Sequence, residues 1–194
     1  MTDFVVIGGG IAGLSAAWHL ARLGSVTLLE REKWAFGHSS GRNAAMFVQL
    51  GPNPGDAPLA MRSRRLLDEV APLWRLSSGV LHTAAESVAL ERHQALALRE
   101  GVRAERVERP ALADLVPALA GGSEGVGLYC PDDGVIDVHH VGQSLAAAAK
   151  ARGAQLMFGV EVESVLVDHD RSAGVRLAGG QHLSAGAVVL AGGA

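Results

Sequence analysis

Cysteine is almost absent: Cys130 is the single one in 194 residues, which excludes an intrachain disulfide framework and suits a reducing compartment. With no obvious histidine partner nearby in the sequence, it reads as a small buried apolar residue. Lysine is nearly as scarce, Lys33 and Lys150 being the only two among 17 basic residues, a bias of composition rather than a sign of chemistry. A formal net charge of −3 and a pI near 6.2 leave no basic field for a polyanion, so nucleic acid is not expected as a partner. No stretch reaches the roughly 18 apolar residues of a membrane span, and the first apolar run begins at Phe4 with no basic segment ahead of it. Neither an integral membrane segment nor a secretory signal is therefore expected. A cytoplasmic location follows as the expectation from these absences. No internal repeat or low-complexity tract stands out.

What is there is 48% hydrophobic and 19% charged, enough apolar side chains for the core of one globular domain, or of a domain and part of another. Phe4 to Ile7 is a continuous apolar run ending at glycine, the pattern of a strand buried on both faces of a parallel sheet. Leu14, Ala17, Leu20 and Ala21 then recur at helical spacing and predict a helix over 11–23, stopped by Gly24. Val26 to Leu29 reads as a second buried strand closed by Glu30, so that strand, glycine turn, helix and strand form a βαβ unit within about thirty residues. Residues 31–58 are rich in glycine and serine, too polar for core. Leu66, Leu67, Val70 and Leu73 give one side of a helix over 59–76, shortened by Pro72. Short strands are predicted at 79–81 and 87–90, and helices at 92–100 and 110–116. A strand at 125–129 leads into Pro131-Asp132-Asp133-Gly134, read as a turn of solvated residues. Asp137 then caps a helix over 138–152 that Gly153 ends. The remainder is β: 155–158, 160–167, 175–177, a Gly179-Gly180 turn, 182–183 and 188–190.

The chemistry lies first in Gly8-Gly9-Gly10-Ile11-Ala12-Gly13. In this pattern Gly8 permits a tight turn, Gly10 lets backbone amides approach a pyrophosphate, and Gly13 packs the helix closely on the strand. The helix N-terminus faces the anion with its partial positive charge. Glu30 stands about twenty residues beyond Gly10, where a carboxylate accepts hydrogen bonds from a ribose 2′-hydroxyl and repels a 2′-phosphate. The loop therefore asks for an adenine dinucleotide other than NADP, and by itself does not separate FAD from NAD. His139-His140 is not read as a ligand pair, because adjacent helix positions point about 100° apart and no third ligand lies at a sensible spacing. No metal site is expected.

Four blocks carry a resemblance: Val5 to Glu30; His38-Ser39-Ser40-Gly41-Arg42-Asn43-Ala44-Ala45; Tyr129 to Val141 with its Pro-Asp-Asp-Gly-Val-Ile-Asp run; and Val188 to Ala194. In these the sequence resembles the FAD-dependent amino-acid oxidoreductases of the glycine oxidase, D-amino-acid oxidase and D-amino-acid dehydrogenase family, most nearly the D-arginine dehydrogenase-like branch. The resemblance implies an α/β fold with a Rossmann-like FAD-binding domain (GR2-type), a parallel sheet with a β-meander, and part of a smaller substrate domain. It implies FAD-domain segments at 1–78 and 125–194 and a partial substrate-domain insertion at 79–124. It further implies that FAD is held by Gly8, Gly10, Ile11, Ala12, Gly13, Glu30 and Arg31, with Ser39, Ser40, Arg42, Asn43, Ala44 and Ala45 beside the pyrophosphate and flavin. Val162 would pair its backbone with the adenine edge, and Ala191-Gly192 would make the second close approach.

Members of that family continue beyond the closing Ala-Gly-Gly motif into the rest of the substrate domain, so the chain is expected to be a fragment, one piece of a split enzyme or a truncated product. Its isolated form is expected to be inactive and to associate through an uncovered apolar face, with itself or with a partner chain. Met46 falls where the resembling branch has a polar active-site side chain, so the substrate preference of that branch does not carry over. The expected reaction is oxidation of the CH–NH group of a small amino acid or amine of the D-amino acid, glycine or sarcosine type, by hydride transfer to flavin. No residue of this chain is assigned as a catalytic base. The alternatives are a non-catalytic FAD-binding subunit completed by a partner chain and, less in keeping with the Ser39-to-Ala45 block, an NAD-dependent dehydrogenase.

Overall fold

A computed structural model describes residues 1–53, 55–76, 78–84, 87–121 and 125–193. In chain order the elements are β1 (Thr2–Ile7), α1 (Ile11–Leu20), β2 (Val26–Glu30), β3 (Met46–Phe47), α2 (Asp56–Val70), β4 (Arg75–Leu76), β5 (Val80–Ala84) and α3 (Ser87–Glu100). They continue with β6 (Glu105–Glu108), α4 (Arg109–Leu115), β7 (Val126–Cys130), β8 (Gly134–Ile136), α5 (Val138–Ala151), β9 (Gln155–Phe158), β10 (Val162–Asp168), β11 (Arg171–Leu177) and β12 (His182–Leu190). The chain divides into two compact units, one of Met1–Ala44 with Val138–Ala194, the other of Ala45–Asp137. Segments 45–78 and 125–137 thus lie with 79–124 in the second unit.

The first unit is built on a six-stranded sheet in the order β10-β11-β12-β1-β2-β9. β1 pairs in parallel with β2 and β12, and β2 with β9, while β10, β11 and β12 form an antiparallel meander. This is the α/β arrangement with parallel sheet and meander that the resemblance implied. The near-continuous apolar runs of β1 and β2 are explained by burial on both faces: Val5, Val6, Leu28 and Leu29 are all almost completely enclosed. Val5 and Leu29 pack with Val175, Leu177 and Ala185 in one cluster, while Val6 and Leu28, one residue out of phase, point to the opposite face. Helices α1 and α5 pack against each other. Arg152 ties them by donating to the Trp18 carbonyl at 3.0 Å with its guanidinium 4.1 Å over the Trp18 ring, a cation–π contact.

Two boundaries here differ from the sequence expectation. Helix α1 ends at Leu20 rather than 23, because Leu23 and Gly24 both donate to the Leu20 carbonyl and tighten the chain into a turn. The expected strands at 182–183 and 188–190 are one strand, β12. Its middle, Ser184-Ala185-Gly186-Ala187, lacks bulky residues because the neighbouring backbone is close: a Cβ on Gly186 would lie 3.0 Å from the Asp3 carbonyl oxygen.

The second unit contains two antiparallel three-stranded sheets, β3-β8-β4 and β5-β7-β6. Its core joins Leu50 and Ala57 to Leu90, Leu96 and Ala97 of α3 and to Val126, Leu128 and Cys130 of β7. That core explains why the predicted strand at 87–90 is instead the first turn of α3: Leu90, Leu96 and Ala97 share a helical face, and the local alternation around Val88 does not outweigh it. Helix α2 likewise begins earlier than expected, at Asp56, and ends at Val70 ahead of Pro72. Trp74 is 1% exposed, donates through its indole N–H to Asp68 at 2.8 Å, and meets Phe47 edge-on at 4.8 Å.

The Pro131-Asp132-Asp133-Gly134 turn corrects the reading of solvated carboxylates. Asp133 is fully buried; its Oδ1 accepts from the Gln49 side-chain amide at 2.7 Å and its Oδ2 from the Gln49 backbone N–H at 3.2 Å. Burial raises its pKa, partly offset by these two bonds. Arg75 donates to the Asp132 carbonyl, and Arg64 pairs with the half-buried Asp132 carboxylate at 3.4 Å. Composition alone marks such a segment as a turn and does not show which of two adjacent carboxylates turns inward. Asp133→Ala would leave the Gln49 donors without their acceptor at a cost of about 1–3 kcal/mol. Calorimetry is expected to show a Tm lower by several degrees, at about 2–4 °C per kcal/mol for a chain of this size.

Candidate cofactor-binding site

The glycine loop is shaped by contacts that exclude side chains. Gly8 has φ of +111° and a Cβ there would lie 2.3 Å from the Ala191 carbonyl oxygen, while a Cβ on Gly13 would lie 1.9 Å from the Gly8 carbonyl oxygen. The third glycine therefore seats α1 directly on the end of β1, as its spacing implied. Gly9, which the motif leaves unspecified, is equally constrained, since a Cβ there would lie 3.0 Å from the Glu30 carboxylate. Sequence spacing gives no signal for this; it comes from where the end of β2 places Glu30. That carboxylate accepts from the Gly9 N–H through Oε2 and from the Glu32 N–H through Oε1 at 2.8 Å, joining the loops that follow β1 and β2.

The Ser39-to-Ala45 segment is held next to this loop. Phe36 N–H donates to the Gly9 carbonyl at 3.1 Å, and the Phe36 ring lies against Gly142 of α5. The Ile11 N–H at the start of α1 donates to Ser40 Oγ at 3.1 Å. The Asn43 side-chain amide donates to the carbonyls of Ser39 and Ser40 at 3.1 and 2.9 Å, folding the turn on itself.

These parts enclose a cavity of about 610 Å³, within the usual range for a small-molecule site. Of the residues picked from sequence, Gly8, Gly10, Ile11, Ala12, Glu30 and Arg31 line it from the βαβ side, and Ser39, Ser40 and Arg42 from the following segment. Val162, Ala191 and Gly192 close the far wall. Four picked residues are not in the lining. Gly13 lies behind the loop against Gly8; Asn43 is turned back on its own segment; Ala44 ends the first unit; and Ala45 belongs to the second, where its carbonyl accepts from Ile136 N–H at 2.6 Å. Phe36, His38 and Glu161 line the cavity without having been singled out. His38 pairs with Glu32 at 2.9 Å, a contact between two loop residues that no periodicity announces.

The electrostatics favour an anion at one end. Helix α1 has no acidic residue in its first turn, so its partial positive charge is not internally offset; Arg31 and Arg42 line the same cavity together with the carboxylates of Glu30 and Glu161. Bare glycine backbone, a helix N-terminus and a strand-end carboxylate in one cavity fit the pyrophosphate and ribose of an adenine dinucleotide. Among the described residues, no helix is long and apolar enough to cross a membrane.

Comparison with known proteins extends this geometry. The mitochondrial sarcosine dehydrogenase of Homo sapiens is 31% identical over 189 residues, covering 91% of this chain and 20% of that protein. The mitochondrial pyruvate dehydrogenase phosphatase regulatory subunit of Mus musculus is 27% identical over 187 residues, covering 91% of this chain and 21% of the relative. Among solved structures, L-proline dehydrogenase from P. horikoshii superposes with a TM-score of 0.87 at 25% identity, over 98% of this chain and 52% of its own. The chain thus spans about half or less of the length of these proteins. The family model described as FAD dependent oxidoreductase matches residues 3–194, and the chain belongs to that family of FAD-dependent enzymes.

Proposed function

We propose that this chain forms the FAD-binding part of an oxidoreductase that oxidises the CH–NH group of a small amino acid or amine. The observation that carries the reading is the single cavity in which the glycine loop, Glu30, the Ser39–Arg42 turn and Ala191-Gly192 meet. In this reading the backbone at Gly10 and the N-terminus of α1 face the pyrophosphate, with Ser39, Ser40 and Arg42 as further donors. Glu30 holds Gly9 and Glu32 in place and offers the remaining lone pairs of its carboxylate to the ribose hydroxyls. Val162 supplies backbone groups to the adenine edge, and the small residues Ala191 and Gly192 allow close approach. When bound, FAD would supply the two-electron acceptor for the hydride leaving the α-carbon of the neutral amine, and water then hydrolyses the imine to an oxo acid and ammonia or an amine. The contribution of these residues is orientation and electrostatics. A cytoplasmic location is proposed on the strength of the lone cysteine.

A second reading rests on the regulatory-subunit relative: a chain that binds FAD without turning over substrate, completed by a partner chain. Both readings require flavin. The purified chain is expected to be yellow, or to become so on adding FAD, with one flavin per chain; a colourless protein that takes up no FAD would overturn both. Amine-dependent flavin reduction that appears only on adding a second chain would favour the subunit reading. Glu30→Ala removes the acceptor of two loop amides, and at about 1–3 kcal/mol it is expected to weaken FAD binding about fivefold or more in a fluorescence titration. An unchanged affinity would remove Glu30 from the site.

A further inference from the structure

Within the second unit, three side chains that the sequence keeps far apart converge. In the antiparallel pair of β5 and β7, His82 lies opposite Leu128 and Val80 opposite Cys130, so His82 and Cys130 are diagonal neighbours on one face of the sheet. Two residues after Pro131 the chain turns, with the Asp133 N–H donating to the Cys130 carbonyl at 3.2 Å, and this brings the Asp133 carboxylate back beneath the same face. One ligating atom from each of His82, Cys130 and Asp133 lies within 4.8 Å of the other two. Cys130 and Asp133 are fully buried, and the cysteine belongs to the apolar core of the unit.

The second observation is the imidazole itself. Nε2 of His82 is buried and has no hydrogen-bond partner among the described residues, a condition that calls for an explanation, an ion among them. The ring cannot escape easily, being stacked on His93 of α3 with centroids 5.5 Å apart and planes 27° apart. Asp133 is oriented by the two Gln49 donors, as second-layer groups orient ligating carboxylates.

We propose that His82, Cys130 and Asp133 form a binding site for zinc, with water completing a tetrahedral set. The donor types, one sulfur, one nitrogen and one oxygen, suit that borderline-soft ion. Bonds of about 2.0–2.3 Å impose ligand separations of about 3.3–3.8 Å, so the three atoms need to draw together by about an ångström. Binding displaces the thiol proton to solvent as the Zn–S bond forms, without change of oxidation state. The site would cross-link β5, β7 and the turn, and it does not depend on the flavin reading.

The test is a titration of the full chain, stripped of metal by a chelator, with Co(II) and then Zn(II). One equivalent of Co(II) is expected to bind with a thiolate-to-cobalt charge-transfer band and tetrahedral ligand-field bands, both abolished by Zn(II). Cys130→Ser is expected to remove the charge-transfer band. His82→Gln, at a half-buried position, is expected to weaken Co(II) binding at least tenfold, with an unchanged circular dichroism spectrum showing that it still folds. Failure of the wild-type chain to bind either ion at micromolar free concentration would overturn the proposal. So would a charge-transfer band that survives in Cys130→Ser, or equal affinity in folded His82→Gln. Because FAD uptake is measured separately in the first unit, failure here leaves the flavin reading standing, and the converse holds.

Discussion

One carboxylate at the end of a strand ties together the two loops that frame one side of the cavity. Glu30 accepts from Gly9 in the loop after β1 and from Glu32 in the loop after β2, so the two backbone segments that frame the cavity are fixed to the same side chain. Charge-assisted bonds to backbone amides are among the stronger of their kind, and they act here on a loop whose own glycines confer freedom rather than rigidity. The loop then passes the constraint on: Gly9 receives Phe36, Phe36 lies on α5, and Ser40 receives the first amide of α1. The Ser39–Arg42 turn is held against the glycine loop through this chain of contacts.

The first unit was largely legible in the sequence because its determinants are local. Buried parallel strands read as unbroken apolar runs, the glycine spacing reports a strand meeting a helix at close range, and Glu30 sits at a fixed offset from both. What was not legible depends on partners distant in the chain. Gly9 looked unconstrained until β2 delivered a carboxylate to it. Asn43 sat in a specific block and was read as lining, whereas its amide satisfies two carbonyls of its own turn, a choice an Asn makes from local geometry rather than from pattern.

The second unit was less legible, because short strands and helices alternate there without long periods. Ser87 to Leu90 alternates like a strand, and only the joint burial of Leu90, Leu96 and Ala97 reveals the helix. The acidic turn taught the same lesson: Asp132 and Asp133 are adjacent and chemically identical, yet one is half exposed beside Arg64 and the other is enclosed with Gln49 as its donor. Gln49 lies 84 positions away, and no local pattern reports so distant a partner. The same applies to Cys130, whose expected burial was correct while its nearness to His82 went unseen.

β12 pairs antiparallel with β11 through His182 to Ser184 and parallel with β1 through Ala185 to Leu190, so two strands far apart in the sequence lie side by side. Pairings of such sequence separation close slowly, since a long loop must be ordered before the contact rewards it. On the ribosome, β1, α1 and β2 emerge well before β12 and the meander, whose residues cover the Val5 and Leu29 face of these strands. The nascent chain must keep that surface from self-association until residue 190 has cleared the exit tunnel.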